Sequence, residues 1–255
     1  MQMKSTHGGI ALVGFDADDT LWRSQDYFDE AQQRFESIVA AYVDLADVGQ
    51  RLYQYESRNI AFFGYGVKGM ALSMIEAAID ITGARIRAAD IGRIIHLAKE
   101  LLQHPVELLP GVRDAVAAVA TQHPVVLITK GDLFHQEAKV RDSGLSDLFR
   151  RIEVVSEKDP ATYARLLAEF GIDAAQFLMV GNSLRSDIAP VLELGGWGVH
   201  VPYHTTWAHE AEATVEQGRE RMRSLASITA LPQALQPRCC RSVLSCRREF
   251  LTRCF

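Results

Sequence analysis

Cysteine is missing from the first 238 residues. All four cysteines of this 255-residue chain, Cys239, Cys240, Cys246 and Cys254, stand near its end. The body therefore folds without disulfides, and the four spacings contain no CxxC pair of the kind that holds zinc or cycles redox state. Long apolar runs are lacking too, since none approaches the roughly 18 residues of a membrane span. The segment before Gly9 has a lysine and a histidine but no signal-peptide cleavage pattern, so the cytoplasm is the expected location. Net positive charge is absent: the formal charge is -5, which gives no basis for wholesale nucleic-acid binding. The one basic stretch is the tail from Arg238, where five arginines face one glutamate, so the tail carries +4 and the rest -9. No internal repeat is visible. With 48% apolar and 23% charged residues, the composition is that of an ordinary globular protein. The length suits one domain with a sizeable insertion, or two domains.

Against that background one stretch stands out. The apolar run Ile10 to Phe15 breaks into Asp16-Ala17-Asp18-Asp19-Thr20. Apolar residues on both faces read as a buried strand. Three carboxylates at the end of such a strand call for a cation. Asp16 and Asp18, two apart, leave the same side of the chain if extension continues. Such a pair suits a hard divalent ion such as Mg²⁺, or a division of nucleophile and proton-donor work. A plain acidic turn or helix cap is the competing reading.

From Trp22 to His104 the pattern is almost wholly helical. Apolar residues recur at intervals of three and four from Phe28 to Tyr42, and again from Leu72 to Ile79. Asp90 is expected to cap a helix running to about Leu102. Between these lies Phe62-Phe63-Gly64-Tyr65-Gly66-Val67-Lys68-Gly69, read as a loop with a special backbone or a tight helix contact. After Pro105, strands and helices alternate. Strands are expected at Pro124–Thr129, Arg151–Ser156, Phe177–Val180 and Gly198–Val201, with Ala226–Leu235 as a closing edge segment. That order predicts an α/β fold, a Rossmann-like parallel sheet with helices on both faces. The helical block interrupts it after the first strand and is expected to be an inserted all-helical cap. The expected division is therefore 1–22 with 106–235 as core, 23–105 as cap and 236–255 as a basic, cysteine-containing tail.

In such sheets ligands bind outside the carboxyl ends of the strands. Four strand ends here carry chemistry: Asp16 to Thr20, Thr129-Lys130-Gly131-Asp132, Ser156-Glu157-Lys158-Asp159, and Gly181-Asn182-Ser183 through Asp187. Carboxylates, a hydroxyl before a glycine turn, a lysine and an Asn/Asp pair are the parts that phosphoryl transfer needs.

The order and content of these motifs resemble the haloacid dehalogenase-like (HAD) hydrolase superfamily over roughly Ile10 to Leu235. The first and last motifs are specific; Thr129 and Lys158 gain weight from their positions. The resemblance implies that Asp16 is a nucleophile forming an aspartyl-phosphate. Asp18 would protonate the leaving alcohol and then deprotonate water, a residue that marks phosphatases and mutases apart from dehalogenases. It further implies that Thr129, with the N–H of Lys130, binds a phosphoryl oxygen and that Lys158 pairs with Asp16. Mg²⁺ would be held by Asp16, the Asp18 carbonyl, Asn182 and Asp187. Many relatives have an aspartate where this chain has Asn182, so the site loses one negative charge and a need for high Mg²⁺ is expected. The implied activity is hydrolysis of a small phosphorylated metabolite, with no nucleic-acid or membrane partner. A sugar-phosphate mutase using the same residues, and a non-catalytic phosphate- or partner-binding module, remain as alternatives.

Other residues carry weaker signals. Lys68, between Gly66 and Gly69, is a candidate for the non-phosphate end of the substrate, or a surface lysine. Asp19 is expected to cap or brace a turn, and Trp22 to line or underlie the cap entrance. His200, Tyr203, His204, Trp207 and His209 form a His/aromatic cluster without metal-motif spacing, so a rim or hydrogen-bonding role is expected.

Overall fold

The computed structural model describes residues 9–205, 207–210, 215 and 219–236. The cysteine-containing tail therefore lies outside the described residues, apart from Gln236. Six parallel strands form one sheet in the order β3-β2-β1-β4-β5-β6. They are β1 (Leu12–Phe15), β2 (Val125–Lys130), β3 (Arg151–Val155), β4 (Phe177–Gly181), β5 (Trp197–His200) and β6 (Met222–Ser224). β1 lies between β2 and β4, with Val13 opposite Val125 and Leu12 opposite Phe177. The acidic stretch thus leaves the middle of the sheet.

Side chains alternate between the two faces, as the pleat requires. Val13, Phe15, Val125, Leu127, Leu178 and Val180 face one way, against Val112 and Val116 of α5 (Val112–Ala120). Leu12, Val126, Ile128, Phe177 and Met179 face the other, against Tyr163 and Leu166 of α7 (Pro160–Phe170). Burial on both faces explains why these strands read as continuous apolar runs. Asp159 caps α7 by accepting from the Thr162 amide at 2.7 Å, with Pro160 in the first turn where its missing N–H costs nothing. On the other side of β2, α6 (Leu133–Asp142) is capped by Asp132.

Four helices are inserted between β1 and α5: α1 (Gln25–Val39), α2 (Val48–Phe63), α3 (Val67–Ile81) and α4 (Ala88–Leu102). They have a hydrophobic cluster of their own, built on Phe35, Ile38, Leu52, Met74, Ala77, Ile94 and Leu97. The chain leaves and re-enters the sheet region through two segments lying side by side. Leu109 N donates to Leu21 O and Arg23 N to Glu107 O, each at 2.9 Å.

Several details differ from the expected pattern. Arg87, not Asp90, begins α4; Asp90 is buried in its first turn and accepts from Tyr42, Arg87 and Arg93. Phe62 and Phe63 complete α2, and only Gly64-Tyr65-Gly66 is left as a turn. Residues 184–188 form a π-helical turn before α8 (Ala189–Glu193), which accommodates the wide spacing from Ser183 to Asp187. The edge strand is Met222–Ser224, a short half-exposed segment with little apolar signal. The stretch expected at the edge instead supplies Ile228 and Leu231 to the core below α5, and ends in α9 (Leu231–Leu235).

Candidate active site

The residues singled out at the strand ends meet beyond the carboxyl edge of the sheet. Asp16 follows β1, and its two oxygens have different surroundings. Oδ1 accepts from the Lys158 ammonium, while Oδ2 accepts from Thr20 Oγ1 at 3.0 Å. Lys158 stands between two carboxylates, since it also donates to Asp187 Oδ1 at 2.7 Å. The other oxygen of Asp187 accepts from the Ser183 amide at 3.0 Å. All three charged groups are buried. Burial first, and the Asp187 carboxylate second, push Asp16 up to about 7 against the pull of Lys158. The same two carboxylates hold the Lys158 ammonium well above the ordinary lysine range, although burial opposes them.

Around Asp16 Oδ2 the neighbours are oxygens. Asn182 Oδ1 lies 3.1 Å from Asp16 Oδ2 and 3.2 Å from the Asp18 carbonyl oxygen. Of the atoms around it only the Thr20 hydroxyl, at 3.1 Å, can donate. Converging acceptors of this kind repel unless the Asn182 amide turns over or a cation enters between them. The raised Asp16 carboxyl reports the same excess of negative charge. Among the described residues no three His, Cys, Asp or Glu side chains cluster as metal ligands. A cation here would instead use one carboxylate, one backbone carbonyl and one amide oxygen, the hard donors that Mg²⁺ prefers. Asp187, with both oxygens engaged by Lys158 and Ser183, sits behind the lysine in this arrangement.

Asp18 points away from that cluster. Its carboxylate accepts from Trp22 Nε1 at 2.6 Å, Gln136 Nε2 at 2.8 Å and the Lys139 ammonium. Burial alone would raise its pKa, but Lys139 outweighs this and, with the hydrogen bonds, holds the carboxyl below the usual range. Trp22 is fully buried beneath the site as a result. Asp19, in the left-handed region at φ 62°, braces the start of α1 by accepting from Ser24 N at 2.8 Å and Gln25 N at 3.0 Å.

Thr129 ends the buried part of β2 with its hydroxyl only loosely engaged, 3.4 Å from the Lys130 carbonyl. The Lys130 side chain turns aside to Ser186 at 2.9 Å and Glu210 at 2.8 Å, with its ammonium 4.3 Å from the Tyr65 ring centre. Lys68 does not line the cavity. It is half exposed and pairs with both oxygens of Asp132, at 2.9 and 3.0 Å, joining α3 to the loop after β2. Between them, Gly66 (φ 104°) lets the insert press on that loop: a Cβ there would lie 3.2 Å from the Asp132 amide.

A cavity of about 160 Å³ lies between the insert and the sheet, floored by Asp16, Thr129, Lys158 and Asn182. The insert walls it with Gln25, Phe28, Glu56, Asn59, Ile60 and Met70. The His/aromatic cluster after β5 splits among separate partners at the rim. His200 meets the Asn182 carbonyl at 3.0 Å, Tyr203 and His204 each reach Asp26 at 2.7 Å, and His209 stacks on Tyr53 at 4.2 Å. Sequence reasoning missed Lys139, Gln136, Ser186 and Glu210. Their lone polar side chains lie on helices or loops with no motif to mark them.

A family model for haloacid dehalogenase-like hydrolases matches residues 10–195. A haloacid dehalogenase-like family hydrolase from Xanthomonas campestris is 53% identical over 91% of this chain and 93% of its own, with a TM-score of 0.80. A predicted phosphoglycolate phosphatase from Haemophilus somnus has a TM-score of 0.62 at 16% identity, covering 89% of this chain and 98% of its own. A 2-haloacid dehalogenase from Pseudomonas syringae has a TM-score of 0.58 at 21% identity, with the same coverages, 89% and 98%. No protein of curated function matches the chain.

Proposed function

The chain belongs to the haloacid dehalogenase-like hydrolases, and on that premise we propose that it hydrolyses small phosphate monoesters through an aspartyl-phosphate, with Mg²⁺ as cofactor. Similar folds carry the names of both a phosphatase and a dehalogenase, so fold alone does not choose between them. The choice rests on the divided surroundings of Asp16. One oxygen faces an ammonium and the other a set of acceptors, an arrangement suited to a cation and a polyanion together. A carbon–halogen bond needs neither, nor does it need the proton donor that Asp18 offers.

In this reading a carboxylate oxygen of Asp16 attacks phosphorus, forming the acyl-phosphate bond as the bond to the leaving oxygen breaks. Asp18 delivers a proton to that oxygen, then takes one from the water that hydrolyses the acyl phosphate. Thr129 Oγ1 and the Lys130 amide hold a phosphoryl oxygen. Lys158, fixed by Asp187, limits charge build-up between Asp16 and the phosphate. Held by Asp16, the Asp18 carbonyl and Asn182, Mg²⁺ would neutralise phosphate charge. The insert, residues 23–105, acts as a cap whose walls complete the cavity and exclude bulk water.

Release of phosphate from p-nitrophenyl phosphate, dependent on Mg²⁺ and abolished by a chelator, is the expected result. Chloride release from 2-chloropropionate without phosphatase activity would overturn the reading.

A further inference from the structure

The cavity wall opposite the phosphate site offers acceptors rather than donors. Gln25 spends its amide N–H on Asp29 at 2.7 Å, and Asn59 spends its own on Glu76 at 2.7 Å and Ser73 at 3.2 Å. A carboxylate without its proton only accepts, so these contacts fix both amides with the nitrogen outward and leave the carbonyl oxygen unspent. Gln136 is fixed in the same way by Asp18 and the Lys130 carbonyl, and its Oε1 is buried without a partner. Glu56, on α2, adds a carboxylate whose nearest cationic candidate among the described residues is His209, 3.7 Å away. The cavity's three lysines are already engaged: Lys158 by Asp16 and Asp187, Lys139 by Asp18, and Lys130 by Glu210. The described part of the insert contributes no lysine, arginine or histidine to the cavity wall.

A second anionic group on a substrate would meet Glu56 and unpaired carbonyl oxygens with no free cation to receive it, a costly juxtaposition. Hydroxyl or ammonium hydrogens would satisfy those same atoms. We propose that this cavity selects phosphate esters whose alcohol portion presents hydrogen-bond donors and carries no second anionic group, with Glu56 as the discriminating residue. The inference rests on the phosphatase reading above and narrows its substrate class. It excludes small phospho-acids and favours phosphorylated polyols and amino alcohols.

The test compares kcat/KM for glycerol phosphate, O-phosphoethanolamine and phosphoglycolate, with p-nitrophenyl phosphate as a reporter of the phosphatase reaction. The first two are expected to exceed phosphoglycolate by about tenfold or more, equivalent to roughly 1.4 kcal/mol. Glu56→Lys should shift the ratio of phosphoglycolate to glycerol phosphate upward by about tenfold. Glu56→Gln should lower phosphoethanolamine more than glycerol phosphate, which separates the ammonium from the hydroxyl contribution. Ratios within one variant do not depend on how much of it folds. Phosphoglycolate turned over as well as the other two, or a ratio unmoved by Glu56→Lys, would overturn the inference while leaving a phosphatase. No phosphate release from any ester, p-nitrophenyl phosphate included, would overturn the phosphatase reading and this inference with it.

Discussion

Lys139 reaches from α6 to the same Asp18 oxygen that accepts the Trp22 indole N–H. The proposed acid and base is therefore aimed by a cation and an indole, not left to swing on its turn. Both partners of the ion pair are largely buried, so solvent screens it weakly. Lys139→Met is expected to lower kcat by about 10²-fold, in the range of general acid–base effects. The loss should be larger for an alkyl phosphate, whose leaving oxygen needs a proton, than for p-nitrophenyl phosphate. Equal losses on both would assign Lys139 a purely structural role.

Asp16→Asn preserves the shape of the nucleophile and a hydrogen-bond acceptor for Lys158. Turnover should fall by at least about 10³-fold, because the attacking carboxylate is lost. The thermal midpoint should stay within a few degrees of the parent, since one of the two carboxylates around Lys158 remains. Phosphate release and a thermal melt, measured on the same preparation, check both halves. Normal turnover would exclude a covalent route through Asp16.

Asn182→Asp places a negative charge within the acceptor cluster made by Asp16 Oδ2 and the Asp18 carbonyl. Without metal the variant should be less stable than the parent, because two carboxylates then face each other. With Mg²⁺ the order should reverse, and activation should reach half-maximum at a lower Mg²⁺ concentration. Activity of the unmodified chain saturating at micromolar Mg²⁺ would contradict the role given to the neutral amide.

Asp90 makes a pH prediction of definite sign. Hydrogen bonds from Tyr42 first, then Arg87 and Arg93, lower its carboxyl from 3.8 to about 2. A depressed acid adds stability that is fully present above its unfolded pKa and is lost as pH falls through the folded one. Its contribution should be constant above about pH 4 and disappear between about pH 4 and 2. Denaturant melts of the parent and of Asp90→Asn should differ at pH 6 and converge at pH 2. A difference that persists unchanged at pH 2 would refute the assignment.

Much of this arrangement was legible in the residues themselves. Buried parallel strands end abruptly, so chemistry-bearing residues at those ends, such as Asp16, Thr129 and Lys158, declare themselves by breaking an apolar run. Asp19 was likewise legible as a brace for the turn, and α7 announced its start through Asp159 and Pro160. The rest depended on distance across the fold. Lys68 finds Asp132 on a separate element, and no local pattern links them. Gln136 and Lys139, spaced one helical turn apart, read as an ordinary polar helix face until the fold turns that face toward Asp18. Asp90 resembles a cap by composition, but Tyr42, beyond the end of α1, reaches across to it and fixes it one turn inside α4. The edge strand Met222–Ser224 is too short and too polar to stand out from a loop.

Gly64 and Gly66 bracket Tyr65 and form a matched pair for testing whether the insert acts on the site. Both have positive φ, at 68° and 104°, with ψ near 180°, a region open essentially to glycine alone. Alanine at either position should cost about 1–3 kcal/mol in backbone strain. Their surroundings differ. A Cβ at Gly64 meets nothing within 4 Å, whereas one at Gly66 approaches the Asp132 amide at 3.2 Å. That amide belongs to the loop that follows Thr129 and Lys130, so Gly66→Ala should disturb phosphate binding as well as stability. Expected are similar losses in thermal midpoint for the two variants, with a fall in kcat/KM of about tenfold or more confined to Gly66→Ala. Equal effects on kcat/KM would mean that the insert's contact with this loop has no part in catalysis.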